Sequence, residues 1–156
     1  MPTLPPPGLE HLCDLSVDVG QPIEVGMTSR GLRRMVPIIG GHLNGPALRG
    51  RVLGGGADFQ LILAGGTESH LDARYVIELD DGSRLFVINR ALRVAAPDIA
   101  EQLRQGKAVD PERVYFRCQP SIEAAGPAWQ WLNACQIVGT GQRLPDRVLL
   151  SLYRVL

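Results

Sequence analysis

The stretch LILAGGTESHLDARYVIELDDGSRLFVINR, residues 61–90, carries two turn signals between three strand-like runs. Leu61–Leu63 and the run LDARYVIE at 71–78 flank the loop AGGTESH, whose Gly65-Gly66 supplies the positive φ that a tight turn needs. Asp80-Asp81-Gly82-Ser83 is a second turn, and it joins 71–78 to RLFVINR at 84–90. Three consecutive antiparallel strands follow from this spacing, which makes the stretch a β-meander.

The same punctuation runs outward in both directions. The chain has 18 Gly and 12 Pro, and between them lie short runs with period-two alternation. Leu12–Val19 sets Leu15, Val17 and Val19 against Asp14, Ser16 and Asp18. Pro22–Val25, Arg33–Ile39, Leu48–Leu53 and Asp58–Leu63 follow, separated by Gly40-Gly41, Asn44-Gly45-Pro46 and Gly54-Gly55-Gly56. Tyr115–Glu123, Trp129–Val138 and Arg147–Val155 complete the strand candidates, with Pro120 marking a bend or an edge. One helix is expected over Ala96–Gly106, with Pro97 near its start, Asp98 and Glu101 in the first turns, Arg104 in the last turn and Gly106 beyond it. About ten strands and one short helix give an all-β chain, a single antiparallel barrel whose helix plugs or packs one end. The domain reading is a proline-rich arm over residues 1–11 and one β-barrel domain over 12–156.

Composition narrows the function classes. Sixteen Lys plus Arg balance sixteen Asp plus Glu, so no basic excess exists to neutralise phosphates; nucleic acid and anionic membrane surfaces are not expected partners. Lys107 is the only lysine. Cys13, Cys118 and Cys135 are odd in number and widely spaced, and no His stands at a zinc-ligand interval, so neither a disulfide framework nor a zinc site is implied. A reducing cytoplasm is the setting this points to. The start MPTLPPPGLEHL lacks an apolar core and reads as an extended arm. No apolar run approaches the roughly 20 residues that span a bilayer.

A barrel strand shows one face to the lumen and one to the outside, so face assignment decides what a site contains. On 71–79 one face carries Leu71, Ala73, Tyr75, Ile77 and Leu79, and the other Asp72, Arg74, Val76 and Glu78. Two readings stand. Either Asp72 and Arg74 face solvent with Tyr75 in the core, or the interior is a polar pocket and the apolar face is covered elsewhere. Asp58 follows a Gly-rich turn and shares a face with Gln60. If register brings Asp58 to Arg74, one carboxylate is held ionised while a second, less well paired, is raised by desolvation and like charge. Asp58, Asp72 and Arg74 are therefore the candidate catalytic residues, as acid and base in proton shuffling or cyclisation. The competing structural role is a buried ion pair tying two strands.

His42, Tyr75, Asn89, Arg117, Glu123, Trp131 and Asn133 are candidate ligand contacts: a titratable ring, a second charged pair, amides and a flat apolar wall. Two Trp at spacing two also suit plain core packing, and His42 suits a surface loop. No GxSxG elbow, P-loop, HExxH or strand-following GxGxxG is present, and Gly54–Gly56 precedes a strand rather than a helix, so it is a turn. No metal and no cofactor is expected.

IIGGHLNGPALRGRVLGGGADFQLI (38–62), LDARYVIELDDGSRLFVINR (71–90), YFRCQPSIE (115–123), WLN (131–133) and IVGTGQRLPD (137–146) occur in that order. As a set they resemble a bacterial and fungal family known only as domain of unknown function 3237, an uncharacterised protein family. The resemblance runs from about Leu12 to the C-terminus. Ala91, Phe59 and Ile122 depart from it where Gly, Trp and an aromatic are expected. It implies a lipocalin-like barrel with an internal cavity, and some fungal relatives are linked to ring-forming steps in which a hydroxyl adds to an alkene. Family does not fix function. The expectation is a small-molecule-binding barrel, cytoplasmic and homo-oligomeric, acting as a cofactor-independent isomerase or cyclase on an aromatic or polyketide-like molecule. A non-catalytic carrier or sensor using the same cavity is the alternative, and a solid barrel serving as an interaction module is a third.

Overall fold

The computed structural model describes residues 1–156. Its strands are β1 (Leu9–Val19), β2 (Ile23–Thr28), β3 (Gly31–Asn44), β4 (Gly50–Val52), β5 (Gly56–Leu63), β6 (Glu68–Leu79), β7 (Arg84–Ala95), β8 (Val114–Ala124), β9 (Ile137–Arg143) and β10 (Arg147–Val155), with one α-helix, α1 (Pro97–Arg104). The turns at 64–67 and 80–83 fold β5, β6 and β7 into the expected meander. Pairing then continues β7–β8–β9–β10–β1, and β1 closes on β3, which joins back to β6 through β4 and β5. The result is a closed antiparallel barrel of eight wall positions, with β2 folded back on β3. An eight-stranded barrel is just wide enough to be filled by side chains or to hold one small ligand. No helix is long and apolar enough to cross a membrane.

Closure at β1–β3 depends on a missing side chain. Gly41 has φ +141°, and a Cβ there would lie 2.2 Å from the Ser16 carbonyl oxygen of β1. Only glycine meets both conditions.

The two ends of the barrel differ. One end is solid: Leu12, Leu48, Ile77, Leu85, Leu132 and Ile137 are among the largest fully buried side chains. At the other end α1 buries Ile99, Ala100 and Leu103 in a small cluster with Ala95, against which Val114 packs. Pro97 occupies the first helical turn, Asp98 lies in that turn and Arg104 in the last, each where the helix dipole favours it.

Three strand expectations are revised. Residues 129–138 are not a strand: Gln130–Ala134 form a 3₁₀ turn, and β9 starts at Ile137. Asn133 takes over both hydrogen-bonding groups of Ala124, accepting from its N–H at 2.8 Å and donating to its carbonyl at 3.1 Å, so the end of β8 is closed by a side chain. Trp129 Nε1 donates to Asp81 Oδ2 at 2.8 Å, and Leu132 plugs the solid end. Leu48–Leu53 shrinks to the three residues of β4. Pro120 lies within an unbroken β8, but β8 pairs with β9 only at Arg117 and Cys118, so one side of the strand is an edge there, as Pro requires.

Neighbouring residues of β7 give a direct test of barrel facing. Leu85 is wholly buried and Phe86 is exposed. Leu85→Ala is expected to cost about 2–5 kcal/mol in urea unfolding and Phe86→Ala under about 1 kcal/mol, with unchanged m values.

Candidate active site

Strand register decides what the lumen contains. In the β5–β6 pair Asp58 lies opposite Ala73, Gln60 opposite Leu71, Phe59 opposite Asp72 and Ala57 opposite Arg74. Directly opposed residues of antiparallel strands share a face. Gln60, Leu71 and Tyr75 are buried, so this face is the interior, and Asp58 belongs to it. The β6–β7 register carries the same face onward through Asn89, Ala91 and Arg93, opposite Ala73, Leu71 and Ser69. From β3, Val36 and Arg34 oppose Asp58 and Gln60.

These faces line a narrow cavity of about 50 Å³ that opens to solvent at its mouth. Asp58, Gln60, Tyr75, Asn89, Arg93 and Arg143 supply its polar lining. Val17, Val36, Leu71, Phe116, Val148 and Leu150 supply apolar walls. An apolar enclosure with a few convergent polar groups is the usual form of a small-molecule site. Gly141 makes room for one wall, since a Cβ there would lie 2.8 Å from the Phe116 ring.

Four buried polar atoms on this lining have no hydrogen-bond partner: Asp58 Oδ1, Gln60 Oε1, Tyr75 Oη and Asn89 Oδ1. The other Asp58 oxygen accepts from Gln60 Nε2 at 2.7 Å. Each unpaired buried polar atom costs about 1–3 kcal/mol, so four facing one cavity form a set that a bound molecule would satisfy.

Charge in the lumen is perturbed by burial. Burial raises the Asp58 carboxyl above its usual 3.8, partly opposed by the Gln60 hydrogen bond and by the Arg93 charge. Burial lowers Arg93 to about 10, with Asp58 opposing the shift. Arg34 and Arg143 are lowered by burial as well. Tyr75 is raised, mainly by burial, and stays a neutral phenol. Burial pushes the Cys13 and Cys118 thiols up to about 12 and about 11, which removes them as nucleophiles near neutral pH.

Of the residues singled out by sequence, Asp58, Tyr75 and Asn89 meet in the lumen. Asp72 and Arg74 do not. Their opposition to Phe59 and Ala57 turns them to the outer face, where Arg74 donates from Nε and Nη2 to the two Asp72 oxygens, both at 3.2 Å. The solvent-facing reading of that pair is the correct one. His42 is exposed on the outside of β3. Arg117 is exposed and lies over the Tyr115 ring at 5.1 Å, forming no pair with Glu123, which is itself exposed. Trp131 lies under Arg154, and Asn133 caps Ala124. None of these five lines the cavity. Arg93 and Arg143 were not foreseen. Arg93 had a signal, since it shares the period-two face of Asn89; Arg143 lies among glycines with no alternation to read.

Comparison with known proteins agrees with the architecture. A family model described as protein of unknown function (DUF3237) matches residues 7–155. The UPF0311 protein of Rhodopseudomonas palustris (strain TIE-1) is 35% identical over 147 residues, which is 94% of this chain and 95% of that protein. A solved β-barrel-like protein from Acinetobacter baumannii superposes with TM-score 0.85 at 37% identity, covering 99% of each chain. A solved enzyme from Penicillium herquei has TM-score 0.73 at 21% identity over 100% of both chains, a likeness of fold.

The raised Asp58 carboxyl fixes the sign of a pH effect. Its stabilising contribution is present below the unfolded value of 3.8 and is lost as pH rises through the higher folded value. Asp58→Asn is therefore expected to raise the Tm at pH 7–8, with the gain vanishing near pH 3–4, while Asp72→Asn leaves the Tm unchanged; thermal melts across pH check both.

Proposed function

The chain belongs to the DUF3237 family of proteins of unknown function, and we propose that it binds a small aromatic or polyketide-like molecule in the barrel and isomerises or cyclises it by acid–base chemistry. The observation that carries this reading is Asp58: a carboxyl raised by burial, with one oxygen unpartnered, facing a cavity with three other unpartnered polar atoms. A carrier needs shape and satisfied polar groups, whereas an acid–base enzyme needs a group of perturbed pKa facing its ligand. Asp58 meets the second requirement.

Addition of a hydroxyl to an alkene suits this lining. Protonated Asp58 gives its proton to one alkene carbon as the substrate's hydroxyl oxygen bonds to the other. The hydroxyl proton then returns to the Asp58 carboxylate. One C–O bond and one C–H bond form, the C=C π bond and the O–H bond are lost, and substrate and product are isomers. Gln60 holds the second Asp58 oxygen, leaving Oδ1 for the reacting molecule. Tyr75 and Asn89 are placed to orient the substrate's polar groups, and the apolar wall excludes water from the developing cation. The likeness to the Penicillium herquei enzyme is consistent with catalysis on this fold. Exposed Ile23, Val25 and Met27 on β2 support self-association, which sedimentation reads directly.

Incubation with alkenyl phenols and chromatography for an isomer of unchanged mass tests the activity. Asp58→Asn and Asp58→Ala are each expected to lower turnover by about 10²–10⁴, with Asp72→Asn at the wild-type rate. Full turnover in Asp58→Asn would remove its role, and tight binding without turnover in the wild type would favour the carrier.

A further inference from the structure

Many of the arginines on the outside of this molecule, though not all, are paired with carboxylates. Arg51, Arg74, Arg84, Arg104 and Arg147, on the outside, each have a carboxylate within 4.0 Å. Arg93 and Arg143 line the cavity and have none, although Arg93 is only 8% exposed. Arg34, on the inward face of β3 opposite Gln60, has no carboxylate partner either, and its buried Nε lacks any hydrogen bond. Natural proteins seldom bury a guanidinium without a counter-charge, because removing it from water is costly unless an anion meets it. Asp58 is the one carboxylate on the lining, and burial favours its neutral form. One carboxyl that tends to neutrality does not balance three guanidinium groups.

We infer that the molecule held in the lumen carries a carboxylate, docked on Arg93 and Arg143. The inference rests on the ligand-binding reading of the lumen given above and deepens it by naming the ligand's charge. The planar guanidinium fork matches a carboxylate with two parallel hydrogen bonds. Arg93 lies over the Phe116 ring, 5.9 Å from its centre, a cation–π contact at the cavity wall. The opposite requirement comes from Gln60 Oε1 and Asn89 Oδ1, unsatisfied acceptors that call for hydroxyl or N–H donors, with the unpartnered Asp58 Oδ1 beside them. A hydroxylated organic acid satisfies both ends: its carboxylate meets the arginines and its hydroxyl meets the acceptors beside Asp58. The arginines then fix the substrate's position and Asp58 remains free to exchange protons.

The test uses 4-hydroxycinnamate and benzoate against 4-hydroxycinnamamide and benzamide, each at up to about 10 mM and pH 7.5 with the full chain, read by thermal shift and calorimetry. The carboxylates are expected to raise the Tm by about 2 °C or more and to bind about tenfold more tightly than their amides. Arg93→Met is expected to remove that preference while leaving amide binding unchanged, and to raise the Tm of the ligand-free protein, since it relieves an unpaired buried charge. Arg93→Lys, which keeps the charge, should retain the preference and guards against a Met variant that fails to fold. Amides that bind as well as the acids would overturn the carboxylate assignment and leave a ligand-binding lumen standing. No shift from either acid overturns it too. So does an Arg93→Met variant that loses stability and keeps the preference. The Asp58→Asn turnover assay reads the lumen independently of all four probes.

Discussion

The pairing of Asp58 with Ala73 in the β5–β6 ladder is the constraint on which the lumen depends. A one-residue slip of β5 would turn Asp58 and Gln60 out and bring Phe59 in, and a slip of β6 would bring Asp72 and Arg74 in. That slip is opposed from several sides. It would expose Leu71, Tyr75 and Ile77, all buried, and would break the β6–β7 ladder that runs from Glu68 to Glu78 without a shift. The short turn at 64–67 fixes the hairpin, and Gly41 allows β1 to approach β3 closely enough to close the wall. The register of one hairpin therefore sets which charges the barrel encloses.

The barrel divides its interior between two tasks. The end built on Leu12, Leu48, Leu85 and Leu132 is apolar and filled. The half beneath α1 holds buried arginines, a carboxyl displaced toward its neutral form and four unpartnered polar atoms, an arrangement that works against folding in the absence of a ligand. Such a lining persists because the packed end and the closed hydrogen-bonded wall stabilise the fold enough to carry it, a common relation between stability and function.

Much of this architecture was legible in the sequence. The turns at 64–67 and 80–83 fixed the meander, Pro97 and Arg104 bracketed the helix, and alternation placed nine of the ten strands to within about five residues. The segment 129–138 misled because Trp129, Trp131 and Val138 suit a strand by propensity, while the deciding feature was a side chain: Asn133 bonding to Ala124. The site was half legible. Asp58 followed a Gly-rich turn and shared a face with Gln60, but the faces of 71–79 could not be told apart, because small Ala73 is inward and apolar Val76 outward. Arg93 and Arg143 stayed hidden since arginine is ordinarily a surface residue, and only the closed wall shows what they face.

Asp58 is the point at which fold and chemistry meet, and its ionisation can be read directly. Selective ¹³C labelling of aspartate side chains, with the Asp58 carboxyl assigned by its loss in Asp58→Asn, allows an NMR titration of the ligand-free protein. A midpoint well above 3.8 is expected for a carboxyl that burial holds toward its neutral form. A midpoint at or below 3.8 would mean that the lumen arginines hold Asp58 ionised as a structural counter-ion, and would contradict its assignment as the proton donor.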